Sequence, residues 1–154
     1  MASILALVTG QPRLELAAGD TLIQAGESGG ELYVLERGRL LVERDGVPLA
    51  TISEAGALIG EMSVLLGVDH SASVRAEVPT TLRVIEDAIP FLERTPLMAL
   101  HVATLACERL ERTSALLVEL RKETEGRASE QGLLSRIFGA LTTPEVRGRV
   151  AEGE

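Results

Sequence analysis

Short apolar segments broken by glycine dominate the first half of the chain. Between Arg13 and about Glu86, Gly19, Gly26, Gly29-Gly30, Gly38, Asp45-Gly46 and Gly56 separate runs short enough to be strands. Residues 31–35, 40–43, 48–52, 71–76 and 81–85 are the clearest of these. Many strands with frequent turn signals predict a β-sandwich or barrel. Arg44-Asp45-Gly46-Val47 predicts a tight hairpin, because Asp and Gly tolerate positive φ. Over residues 72–78, Ala72, Val74, Ala76 and Val78 share one face and Ser73, Arg75 and Glu77 the other, which predicts a half-buried strand.

After Arg94 the period lengthens. Thr95 is expected to cap a helix whose first turn accepts Pro96. The helix should run to about Glu125, where Gly126 ends it. Ala99, Ala103, Ala106, Leu110, Thr113, Leu117 and Leu120 follow alternating steps of four and three, the seam of a coiled coil. Val102, Leu105 and Leu116 lie off that seam and are expected to pack on the barrel. Two apolar faces on one helix predict a homodimer through residues 95–125, the alternative being that both faces pack within one chain. The expected division is one domain over residues 1–126, with its barrel at about 13–88, and a tail over 127–154. That tail carries a short helix candidate at 132–141 and a polar turn at Thr143-Pro144-Glu145.

Composition narrows the function. The 154 residues suit one domain with a continuous core. Apolar residues make up 45% of the chain and aromatics only 2%, so the core must be built from Leu, Val, Ile and Ala. Tyr33, Phe91 and Phe138 are too few to form a base-stacking platform. A net charge of −8 argues further against a nucleic-acid partner. The single cysteine, Cys107, excludes an intrachain disulfide and a cysteine-built metal site, and is expected as a small buried hydrophobe. Residues 4–8 are apolar but lack the basic flank of a signal peptide, and no stretch approaches the roughly 20 apolar residues that span a bilayer. A cytoplasmic protein without a membrane partner is the expectation.

Chemistry concentrates in residues 59–76. There a glycine, an acid, a short apolar helical turn and a loop lead back into a strand. Gly60 permits close backbone approach, and the turn opening near Glu61 offers free amide donors that suit a phosphate. Glu61 would repel that anion unless it accepts from a neutral hydroxyl. A sugar hydroxyl on Glu61 and a phosphate on the amides satisfy both.

Gly60-Glu61-Met62, followed by Ser71-Ala72-Ser73-Val74-Arg75-Ala76, resembles the phosphate-binding cassette of cyclic-nucleotide-binding domains. Ala18-Gly19-Asp20-Thr21-Leu22, Gly26-Glu27 and Leu32-Tyr33-Val34-Leu35-Glu36-Arg37-Gly38 agree with it upstream, so the resemblance covers about residues 13–122. It implies an eight-stranded jelly-roll barrel followed by a long helix. It also implies that Glu61 binds the ribose hydroxyl, the backbone of Met62 and Ser63 binds the cyclic phosphate, and Ser71 contacts that phosphate.

One position departs from the pattern. Where the family places an arginine, this chain has His70. A guanidinium is a permanently charged fork of donors, whereas a neutral imidazole offers one. A charge-assisted hydrogen bond contributes roughly 1.5–3 kcal/mol, so affinity should fall about tenfold to a hundredfold. Donation from the imidazole should improve below the ordinary imidazole value of about 6.5.

On the long helix, Arg109-Leu110-Glu111-Arg112-Thr113-Ser114 resembles the helix of catabolite-activator-type regulatory domains, in which a Thr-Ser pair contacts adenine across the dimer. That implies roles for Arg109, Thr113 and Ser114 and places cAMP ahead of cGMP. The alternative is a polar seam residue with a solvated arginine beside it. The residues after Gly126 lack a helix-turn-helix pattern, so signalling is expected through an unknown effector protein or as a fragment of a larger chain.

The resulting expectation is a non-enzymatic regulatory domain with no cofactor and with cAMP or cGMP as ligand. The alternative is a degenerate dimerisation module that no longer binds nucleotide because of His70. Metal-dependent cupins share the jelly roll but need several converging His and carboxylate ligands. This chain has only His70 and His101, and six helical positions separate His101 from Cys107.

Overall fold

The computed structural model of the chain describes residues 3–123 and, beyond them, Gly132, residues 135–137 and Gly139, all helical. The rest of the expected 132–141 helix, the helix end near Gly126 and the turn at Thr143 lie outside the described residues. Contacts divide the chain into two compact units, Met1–Leu105 and Ala106–Glu154.

In the first unit a short helix α1 (Ile4–Leu7) precedes strands β1 (Arg13–Leu16), β2 (Thr21–Ile23), β3 (Leu32–Arg37), β4 (Leu40–Arg44), β5 (Val47–Ile52) and β6 (Leu58–Ile59). Helix α2 (Glu61–Leu66) then leads to β7 (Ser73–Ala76), β8 (Thr80–Ile85) and helix α3 (Ala88–Arg94). Helix α4 (Pro96–Glu123) begins in this unit and ends in the second. The described strands form two four-stranded sheets with orders β1-β8-β3-β6 and β2-β7-β4-β5, every pair antiparallel.

The hairpin between β4 and β5 has the left-handed backbone that its sequence predicts, with φ of 52° at Asp45 and 76° at Gly46. In β7, Val74 and Ala76 are buried and their neighbours half-buried, as the alternation requires. Strands β1, β2 and β6 and helices α1 and α3 are not singled out by the sequence pattern. They are two to seven residues long and take their order from their partners.

Strand β3 explains the layering. Leu32 and Val34 face one apolar cluster with Ile85, Ala88, Leu92, Met98 and Val102, which gathers α3 and the start of α4 onto the sheet. Leu35 faces a second cluster with Ile23, Leu40, Val74 and Leu82, which fills the space between the two sheets. A strand buried on both faces carries a continuous apolar run instead of alternation, and Leu32-Tyr33-Val34-Leu35 is that run. Each fully buried Leu or Val contributes about 1.5–3 kcal/mol, so this strand anchors both layers.

Along α4, Val102 is buried and Leu105 half-buried against the first cluster, as expected. Leu116 was expected to pack with them and is instead 60% exposed. Cys107 is exposed as well, contrary to the buried role its residue type suggests. Position on the helix face overrides the apolar character of a thiol.

Arg83 fastens the segment after α1 to the sheet. Its Nε donates to Glu36 Oε1 at 2.6 Å, and its Nη1 donates to the carbonyls of Thr9 at 3.0 Å and Gln11 at 2.8 Å. Arg13 Nε donates to the other Glu36 oxygen at 3.1 Å. The hydrogen bond from Arg83, with the positive charges of Arg13 and Arg83, holds the Glu36 carboxyl below the usual carboxylate range. A carboxylate whose folded pKa is lowered stabilises the fold at neutral pH, and that contribution vanishes as pH falls through the lowered value. Glu36→Gln should therefore cost about 1–2 kcal/mol at neutral pH. The gap between variant and parent in urea unfolding should close once the solution is acidic enough to protonate Glu36. An equal gap at neutral and strongly acidic pH would show that the charge of Glu36 is not what stabilises.

Candidate functional site

The cassette residues are placed by β6 and α2. Strand β6 pairs with β3 through Tyr33↔Ile59 and Val34↔Leu58, so the chain leaves the sheet at Gly60. Gly60 has φ of 91°, a left-handed conformation, and caps α2. A Cβ there would come within 2.8 Å of the Glu31 carbonyl oxygen and 3.8 Å of the Tyr33 ring. Glycine is thus required by the chain's own backbone, before any ligand is considered.

Helix α2 buries Glu61, Ser63 and Val64 and exposes Met62, Leu65 and Leu66. It stops at Gly67, whose φ of 62° lets its N–H donate back to the Ser63 carbonyl at 3.0 Å. Glu61 is only 8% exposed and Ser63 5%. Tyr33 lies half-buried beneath this turn; burial raises its hydroxyl pKa, and the charge of Glu31 adds to the rise.

The loop after α2 is closed by His70. Its N–H donates to the Glu27 carbonyl at 2.9 Å, and its own carbonyl accepts from Gly26 N–H at 2.8 Å. Ala25 N–H adds a bond to Ser73 Oγ at 2.9 Å. The imidazole Nδ1 lies 2.9 Å from Ser63 Oγ, and the ring packs on Gly29, where an added Cβ would collide with it. One side chain thereby joins α2, the cassette loop and the glycine-rich segment before β3.

Gly60, Glu61, Met62 and Ser63 are contiguous at the start of α2, Ser63 meets His70, and Ser71 follows His70 as an exposed residue. Arg109, Thr113 and Ser114 belong to the second unit, on α4, where Thr113 Oγ1 donates to the Arg109 carbonyl at 2.8 Å. Gly29 is the contact that sequence reasoning missed as chemistry. Its only signal was the Gly29-Gly30 turn. Among the described residues no group of three or more His, Cys, Asp or Glu side chains is placed to hold a metal, and no helix is long and apolar enough to cross a membrane.

Gly60→Ala should cost about 1–3 kcal/mol in urea unfolding, because the clash is with backbone at positive φ. Gly29→Ala should cost about 1 kcal/mol and shift the His70 imidazole NMR signals, since the ring must leave Ser63. Unchanged imidazole signals in Gly29→Ala would refute the packing.

The family profile for the cyclic nucleotide-binding domain matches residues 13–88, a span that includes both cassette segments. The cGMP-dependent protein kinase egl-4 of Caenorhabditis briggsae is 34% identical over 86 residues, 56% of this chain and 11% of the kinase. The chain thus spans about a tenth of that relative's length. The catabolite activator protein of Thermus thermophilus has a TM-score of 0.66 at 29% identity, covering 77% of this chain and 58% of that one. The N-terminal domain of a transcriptional regulator from Streptomyces coelicolor A3(2) has a TM-score of 0.54 at 29% identity, covering 73% of this chain and 86% of that one. Two antiparallel sheets, a long helix after them and a glycine–glutamate turn closing on the loop before β7 lead to one conclusion: this chain belongs, through residues 13–88, to the cyclic nucleotide-binding domain family.

Proposed function

We propose that the chain is a regulatory domain that binds a cyclic nucleotide, cAMP ahead of cGMP, and signals through α4 to an effector protein. The observation that carries this reading is the cassette itself. Residues 60–71 lie inside the family match, and the glycine turn, the buried acid and the closing loop are all present. In this reading Glu61 accepts from a ribose hydroxyl. The backbone amides of Met62 and Ser63, with Ser71 and His70, face the cyclic phosphate. Thr113 and Ser114 supply the preference for adenine, with Arg109 one helical turn before Thr113. The eight described strands are read as a jelly roll. No catalytic step is proposed.

A homodimer through α4 is part of this proposal. Leu110 is 49% exposed and Leu120 48%, a seam that a second helix would cover. The second reading, a dimerisation module that has lost nucleotide binding, is favoured by one observation. The Nδ1 of His70 is already engaged by Ser63, so the position that should replace arginine is partly occupied within the chain.

Calorimetric titration of the purified chain with cAMP and cGMP separates the two. Binding of either, weakened at least tenfold by Glu61→Ala, supports the sensor, as does tighter binding by His70→Arg. No heat from the parent chain or from His70→Arg leaves the module. In light scattering after size exclusion, the parent chain should run as a dimer and Leu110→Glu/Leu117→Glu as a monomer. A monomeric parent at tens of micromolar would rule out the helix seam as a stable interface.

A further inference from the structure

Neither segment that meets at His70 contains a permanent cation. Residues 60–71 carry Glu61 and Asp69 but no Lys or Arg, and residues 24–31 carry Glu27 and Glu31 but no Lys or Arg. Those four carboxylates are the acidic groups of the two segments. Glu27 belongs to the loop bonded to the His70 backbone, and Glu31 Oε2 accepts from Gly30 N–H at 3.1 Å, beside the Gly29 that the ring covers. Glu61 shares α2 with Ser63, and Asp69 adjoins the histidine.

The Ser63–His70 bond has two possible polarities. A neutral imidazole with its proton on Nε2 accepts at Nδ1, and the Ser63 hydroxyl then spends its hydrogen on the ring. When Nδ1 takes up a proton, Nδ1–H donates to Ser63 Oγ instead, and the serine hydrogen is released to another acceptor. One proton gained by the ring therefore gives the cassette one positive charge and one additional O–H donor.

We propose that the Ser63–His70 pair makes phosphate capture by this cassette proton-linked. Anion affinity rises as pH falls through the imidazole range, where an arginine cassette would be indifferent to pH. The inference rests on the cyclic-nucleotide reading above and adds its regulation. His70 supplies the charge, and Ser63 is a positioning residue that converts the protonation into a second donor. The packing of the ring on Gly29 holds Nδ1 at the serine, so the exchange needs no movement of the backbone.

Calorimetric titration of the full chain with cAMP and cGMP at about pH 8 and about pH 6 tests this, since the window brackets the ordinary imidazole value and stays above the carboxylates. The parent chain should bind about tenfold more tightly at the lower pH. Ser63→Ala should retain only part of that gain, and His70→Gln should show one weak affinity at both values. Measurable binding by the parent with equal affinity at both pH values overturns the proton linkage and leaves the nucleotide reading standing. Absence of binding by the parent at both values overturns both. A second measurement needs no ligand. Imidazole nitrogen shifts of the free chain at about pH 8 should place the neutral proton on Nε2, and a proton on Nδ1 would overturn the reversal of the Ser63 bond.

Discussion

Burial of β3 on both faces organises the first unit. Its Leu32 and Val34 hold the helices and Leu35 holds the second sheet, so a change there is felt in both layers. Strand β6, two residues long, has its register set by Tyr33 and Val34 of β3. Because β6 ends at Ile59, the left-handed turn at Gly60 and the start of α2 are fixed relative to the sheet. Val64 then seats α2 in the same cluster as Leu32 and Val34. The cassette is packed on the core through its apolar residues, and its polar atoms are carried by that frame.

Charge gives this cassette its individual character. In a typical anion site a guanidinium offsets the cost of desolvating phosphate. Here the chain has an imidazole bonded to a buried serine, on segments that carry carboxylates and no Lys or Arg. Burial of Glu61 at the same turn suits it to accept from a neutral hydroxyl, because an acid there disfavours a second negative group. In the proposed reading these polar groups would sort a ligand into a hydroxylated part and an anionic part. Elsewhere charge is used for fastening. Arg83 and Arg13 share Glu36 and tie the segment after α1 to β3 and β8.

Much of the fold was legible because its causes are local. Asp45-Gly46 predicts its own turn, since the backbone angles it needs are cheap only for such residues. The alternation of β7 and the change of period at Thr95 are equally local. Strands β1, β2 and β6 were not legible, since two to four residues have no periodicity of their own. Helix α3 carries Pro90 in its first turn and follows a strand closely, which hides it from a period count. The exposure of Cys107 and Leu116 was misjudged for a related reason. Residue type does not say which face of a helix another element covers.

The chain's sequence by itself determined the glycine turn, the acid at Glu61, the imidazole at His70 and the small hydroxyl at Ser71. These follow from residue identity and near-neighbour spacing. Tertiary structure alone decided what His70 does with its ring. Ser63 is seven positions away and Gly29 forty-one, and nothing in either spacing announces a contact. They meet because Gly67 reverses the chain after α2 and because the loop before β3 is bonded back to residue 70. A hydrogen bond needs both partners within about 3 Å, and only the packed sheets and turns bring these two that close.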